Sequence, residues 1–282
     1  MRTTLLQVDV FAEERLGGNP LAVFVSPPEL SRERMQAWAR EMNLSETIFI
    51  WPLGPCRYRA RIFTPVEELP FAGHPSIGAA WCFQALGLGD RDLAQETQAG
   101  LTHLWTDESG TVWLSPPAGE LGEEVPVEAA AEALGVPTLW ISKDRPPQVA
   151  SAGLPHLLVH LDLDQVGGIR PSMGRMRDVL NRLGIGGLMV WSFTSSHRIH
   201  ARGFAPGYGV DEDPATGSAA AALGVYLIKA TGVTDAHRYQ IAQGAEMGRP
   251  SLIQLALNVD GPGSIAVGGH VLAVFRTELE DM

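Results

Sequence analysis

Three short segments of this 282-residue chain carry residue types suited to moving a proton. In Gly73-His74-Pro75, the glycine lets a backbone approach a ligand, and the proline suits the first position of a helix. A histidine at a helix start has its charged form disfavoured by the helix dipole, which leaves a neutral ring able to hydrogen-bond. The competing reading of His74 is a residue that merely caps or packs. The second segment is Asp213-Pro-Ala-Thr216-Gly217-Ser218, where Asp213 or Thr216 reads most simply as a helix N-cap. The third is Asn43-Leu-Ser45-Glu46, which leads into an apolar run over Thr47–Trp51. A glutamate there is ordinarily a solvated charge. In a dry cleft its pKa would rise and make it a competent general acid/base.

The first two segments are copies of one pattern. Arg61-Ile-Phe63-Thr-Pro65 precedes Gly73-His74 and a small-residue run closed by Gly87. Arg202-Gly-Phe204-Ala-Pro206 precedes Gly217-Ser218 and a similar run closed by Gly232. Such a duplication implies two similar domains. Each copy puts polar groups at a helix start, where an anion is welcome, and two such half-sites facing each other would make one cleft. The runs 75–86 and 218–231 are apolar nearly all round, which predicts two central helices, each buried and wrapped by a curved sheet. A buried helix start must still satisfy its free amides, and a bound carboxylate would do so.

The elements around these helices read mostly as strands. Leu5–Phe11 and Leu21–Val25 are joined by the turn Leu16-Gly-Gly-Asn19-Pro20. Ser31 caps a helix to about Met42, with Leu30 and Met35 as a staple across the cap. Thr47–Trp51 and Tyr58–Thr64 are strands, and Leu101–Thr106 forms a hairpin with Thr111–Ser115. Val127–Leu134 is a short helix ended by Gly135, and a second helix spans about Pro171–Leu183. Further strands are expected near Leu157–Leu161, Gly187–Phe193 and Ile199–Phe204. A last hairpin joins Ser251–Asn258 to Ser264–Val267 through Asp260-Gly-Pro-Gly, and Val271–Arg276 is the final strand. These place residues 1–118 plus 271–282 in an N-terminal domain and 119–270 in a C-terminal one.

Composition removes several function classes. A net charge of −11 without a basic patch speaks against nucleic-acid binding. The two lysines, Lys143 and Lys229, are poorly placed for a Schiff-base cofactor. Cys56 and Cys82 form neither a zinc motif nor a disulfide framework and suit a reducing cytoplasm. The segment Met1–Asp9 lacks the apolar core of a secretion signal, and no apolar run reaches membrane-spanning length. The pairs His156/His160 and His197/His200 have metal-like spacing, but they fall in strand or loop and no Asp or Cys completes either set, so no metal is expected. Gly184-Ile-Gly-Gly187 ends a helix where a dinucleotide fingerprint would open one.

Taken in order, Asp9-Val-Phe11, Gly18-Asn19-Pro20, Leu44-Ser-Glu46-Thr, Phe71-Ala-Gly73-His74-Pro75, Glu212-Asp213-Pro-Ala-Thr-Gly217-Ser218 and Gln243-Gly244 … Met247-Gly-Arg-Pro-Ser251 span nearly the whole chain. Together they resemble the PhzF family of phenazine-biosynthesis-like isomerases. The resemblance implies the α+β diaminopimelate epimerase-like fold: two pseudo-symmetric domains, each a curved mixed sheet or barrel around a central helix, with the active site between them. It also implies cofactor-free proton chemistry on a small carboxylic acid, and a homodimer. Glu46 matches the family's catalytic acid/base. His74, Asp213 and Ser218 match residues that bind and polarise the substrate. The Gly73 and Gly217 amides would lie near its carboxylate, with Asn19 also in the binding set. Related epimerases place a cysteine at each helix start; neither Cys56 nor Cys82 stands there, so one carboxylate shuttling a proton is the simpler expectation. A binding protein that kept the cleft without turnover, or an epimerase or lyase on the same scaffold, are the alternatives.

Overall fold

The structure is a computed structural model that describes residues 3–161, 163–258 and 264–280. Its contacts divide the chain into two units, Met1–Ser115 with Gly268–Met282, and Pro116–Val267.

In the first unit, the strand Thr3–Val10 pairs antiparallel with Asn19–Val25 on one side and with Val271–Leu279 on the other. Asn19–Val25 then pairs parallel with Glu46–Gly54, and the helix Arg32–Met42 makes the crossover such a pair requires. The Ser31 hydroxyl accepts from the Arg34 N–H and starts this helix, while Asn43 in the left-handed region ends it. Its apolar face, Met35 and Ala39, covers a cluster in which the Phe24 and Phe49 rings stack at 4.7 Å. Glu46–Gly54 pairs antiparallel with Arg57–Phe63, which pairs parallel with Asp92–Thr97.

The second crossover is the central helix, Gly73–Ala85. It carries no polar stripe, and its residues from Gly73 to Ala80 are all buried. Helix and sheet come close enough at Gly78 that a Cβ there would lie 2.5 Å from Leu21 Cδ2.

The second unit repeats this plan. Gln148–Ser151 pairs antiparallel with Pro155–His160, which runs parallel to Gly187–Ser195 across the helix Met173–Leu183. Gly187–Ser195 pairs antiparallel with Arg198–Ala205, which runs parallel to His237–Gln243 across the helix Gly217–Lys229. The registers also agree. Thr47 faces Phe63 in the first unit and Leu188 faces Phe204 in the second, so Phe63 and Phe204 hold equivalent places.

Both central helices begin earlier than their apolar runs predict, at Gly73 and Gly217, and end at Ala85 and Lys229. Pro75 therefore sits third in its helix, where its missing N–H still costs no intrahelical bond. Val127–Leu134 forms as expected, closed by Gly135 at φ 68°. The strands Asp92–Thr97, Glu120–Glu124, Gln148–Ser151 and His237–Gln243 were not evident from the sequence. Each carries at most two large apolar residues, so the apolar signal of a strand is weak. The expected turn at Asp260-Gly-Pro-Gly lies outside the described residues.

Candidate active site

In the first unit, Glu46 opens its strand and His74 is the second residue of the central helix. His74 Nδ1 lies 3.3 Å from Glu46 Oε2. The ring is 5% exposed, and burial pulls its pKa down to about 3, so it is neutral in ordinary buffers. The contact is an approach at ion-pair distance, without an aligned hydrogen bond between these two atoms. The other ring nitrogen, Nε2, is buried and has no hydrogen-bond partner among the described residues. Asn19 is fully buried at the same end of the sheet, because Leu21, two residues on, is the register partner of Glu46.

No side chain caps this helix. With proline third, the first-turn donors reduce to the Gly73 and His74 amides, a pair of the kind that suits an anion. A buried polar chain fixes it from beneath. Tyr58 donates to Gln95, Gln95 donates to Ser76 Oγ at 2.7 Å, and Ser76 donates to the Ala72 carbonyl.

In the second unit, Thr216 occupies the N-cap position of the central helix, as expected, but makes no cap bond. Its hydroxyl instead donates to Asp213 Oδ2 at 2.7 Å. Gln243 donates to the Asp213 carbonyl and to Thr216 Oγ1. The backbone beneath these groups is Gly203, where a Cβ would meet Thr216 Oγ1 at 2.4 Å. The amides of Gly217 and Ser218 are thus left uncapped by side chains, as at Gly73 and His74. Ser218 Oγ lies 3.0 Å from His156 Nε2.

The repeated Arg-x-Phe segments prove to be anchors. Arg61 Nε and its terminal nitrogen fork onto the two oxygens of Glu68 at 2.7 and 2.8 Å. Arg202 forks onto Glu212 in the same way at 2.8 and 2.9 Å. Ile62 faces Leu69 and Gly203 faces Asp213, so Glu68 and Glu212 hold equivalent places. The second fork holds the strand that ends at Asp213. Glu68, Gln243 and His156 thus belong to the networks around these helix starts, although the sequence alone gives them no role there. For Glu68 and Glu212 the signal was the fixed partner of a repeated arginine. The histidine pairs do not stay together: His160 packs edge-on to Trp191, and His200 faces Glu246 at 2.9 Å. Among the described residues no group of three His, Cys, Asp or Glu side chains could hold a metal.

Comparison with known proteins adds to this geometry. The PhzC–PhzF family profile, phenazine biosynthesis-like protein, matches residues 8–277. An uncharacterized isomerase of Pasteurella multocida is 38% identical, over 96% of this chain and 92% of its own length. The trans-2,3-dihydro-3-hydroxyanthranilate isomerase of Pseudomonas aeruginosa is 36% identical, over 86% of each chain. The crystal structure of a PhzF-family phenazine biosynthesis protein from Bacillus anthracis shares the fold, with a TM-score of 0.87, complete coverage of both chains and 21% identity. With matching order of motifs, α+β architecture and relatives named as isomerases, the chain belongs to the phenazine biosynthesis-like PhzC–PhzF family.

Proposed function

We propose that the protein is a cofactor-independent isomerase that moves a proton, and with it a double bond, within a small carboxylic acid. The observation that carries this reading is the 3.3 Å approach of Glu46 to a buried, neutral His74 at an uncapped helix start. Glu46 as carboxylate takes a proton from a saturated carbon that is conjugated, through the substrate's double bonds, to its carboxyl group. The electron pair enters the conjugated system, and its charge is held by the amides of the first helix turn and by His74. The protonated Glu46 returns the same proton at another carbon, so the double bond shifts and nothing is gained or lost. Asp213, Gly217, Ser218 and Asn19 complete the proposed set of substrate-handling residues.

The relative from Pseudomonas aeruginosa names a first substrate to try, trans-2,3-dihydro-3-hydroxyanthranilate. Wild type and Glu46→Gln are compared on it in heavy water by absorbance and proton NMR. Conversion by wild type alone supports the reading, with retained hydrogen marking internal return of the proton and deuterium marking its exchange with solvent. Full turnover by Glu46→Gln overturns it. Stereoinversion in place of bond migration would reassign the protein as an epimerase. Two-thiol epimerisation has little support, since Cys82 is buried within the central helix and Cys56 lies in an exposed turn.

We also infer a homodimer in a reducing cytoplasm, consistent with two unbridged cysteines. Among the described residues no helix is long and apolar enough to cross a membrane. Sedimentation velocity tests the dimer.

A further inference from the structure

We propose that His156 is a positioning residue of the second half-site, which turns the Ser218 hydroxyl outward as a hydrogen-bond donor to the substrate's anionic group. This rests on the reading of Ser218 as a substrate contact.

The argument begins with the duplication. Leu21 faces Glu46 in the first unit, and His156 faces Gly187 in the second. With Thr47 and Leu188 equivalent, Gly187 holds the place of Glu46, and His156 the place of Leu21. Gly217-Ser218 likewise holds the place of Gly73-His74 at the helix start. Each half-site therefore pairs the second helix residue with a group on the adjoining parallel strands: His74 with Glu46 at 3.3 Å, and Ser218 with His156 at 3.0 Å. The histidine has moved from the helix to the sheet, and the carboxylate has gone.

Gly187 is what admits the change. A Cβ at that position would lie 2.5 Å from His156 Nδ1 and 2.8 Å from Cε1, so the imidazole occupies space that a side chain at 187 would fill. His156 is 2% exposed, and burial keeps it neutral, with its pKa lowered to about 4. A neutral imidazole has one N–H. Were Nε2 the lone-pair nitrogen, Ser218 would donate its only proton inward. An anion at the helix start needs a donor, so the tautomer that serves it has Nε2–H directed to Ser218 Oγ, leaving the hydroxyl proton free to point outward.

The test has two independent arms. Long-range proton–nitrogen NMR on histidine-labelled wild type reads the tautomer without any substrate. The expected result is an Nε2–H tautomer for His156 whose shift moves in Ser218→Ala; an Nδ1–H tautomer overturns the proposal. The second arm measures KM and kcat for trans-2,3-dihydro-3-hydroxyanthranilate, and Kd for benzoate as an anionic probe. His156→Phe keeps the ring volume and is expected to raise KM and Kd roughly tenfold. His156→Gln, which can place an N–H near the same point, restores most of the loss. The double variant His156→Phe/Ser218→Ala is no weaker than Ser218→Ala alone, because the histidine acts through the serine. Unchanged benzoate affinity in His156→Phe, or additive losses in the double variant, overturn the proposal. Absence of turnover in wild type discards trans-2,3-dihydro-3-hydroxyanthranilate as the substrate, while the tautomer and benzoate arms still decide the role of His156.

Discussion

His74 Nδ1 stands 3.3 Å from Glu46 Oε2, and the two residues come from different elements, one opening a strand and the other opening the central helix. Neither position can shift without moving a buried element, so the carboxyl group and the ring are held in a fixed frame. Replacing the carboxylate by an amide keeps the shape and removes the proton acceptor. Glu46→Gln is expected to lower kcat by roughly 10²–10⁴-fold with little change in KM, read from steady-state kinetics.

Acid should loosen the fold before the carboxylates alone would do so. His74 and His156 are buried neutral, with pKa values lowered to about 3 and about 4. In the unfolded chain each returns to about 6.5. Between these limits the unfolded state binds more protons, so stability is fully present above about pH 6.5 and falls as pH falls towards the folded pKa values. At pH 5 the loss is about 2 kcal/mol for each histidine. Calorimetry between pH 5 and 8 should show a lower Tm at pH 5, with a shallower slope in His156→Gln. An unchanged slope in that variant would count against a buried neutral ring at this position.

The two arginine forks should differ in what their loss costs. Glu68 also accepts from Arg32 and Gln98, so its carboxylate keeps partners when Arg61 is removed. Arg202 is 5% exposed, and it also donates to the Ile169 carbonyl at 2.9 Å. Its removal strands both that carbonyl and Glu212. Arg202→Ala is expected to cost about 3–5 kcal/mol and Arg61→Ala about 1 kcal/mol, measured by urea denaturation.

Gly187→Ala tests the space behind Ser218. The added methyl would meet the His156 ring, which must rotate or the strand must yield. The expected outcome is a folded protein destabilised by about 1–3 kcal/mol, with substrate KM raised as in His156→Phe. Wild-type KM in Gly187→Ala would show that the ring tolerates displacement.

Much of this was legible in the residues. The duplicated Arg-x-Phe segments announced two like units, and the all-round apolar character of 75–86 and 218–231 announced helices buried by strands. The sequence singles out both Glu46 and His74, but their meeting depends on a parallel strand pair and a crossover that no local spacing encodes. His156 stands out in the sequence only for its distance from His160, a spacing without consequence, because its partner is 62 residues away. Thr216 sits at the cap position its residue type suggests, yet its hydroxyl turns to Asp213, since the two side chains meet across a tight loop held by Gln243.

Cys82 lies sealed in the central helix, where burial pushes its thiol pKa up, and Cys56 lies in the turn that follows the strand Glu46–Gly54. Sulfur is therefore absent from both helix starts. An enzyme built this way has no Achilles heel for alkylating reagents or peroxide at its working groups. Iodoacetamide or mild oxidants, which silence catalysts that depend on a thiolate, should leave its turnover intact.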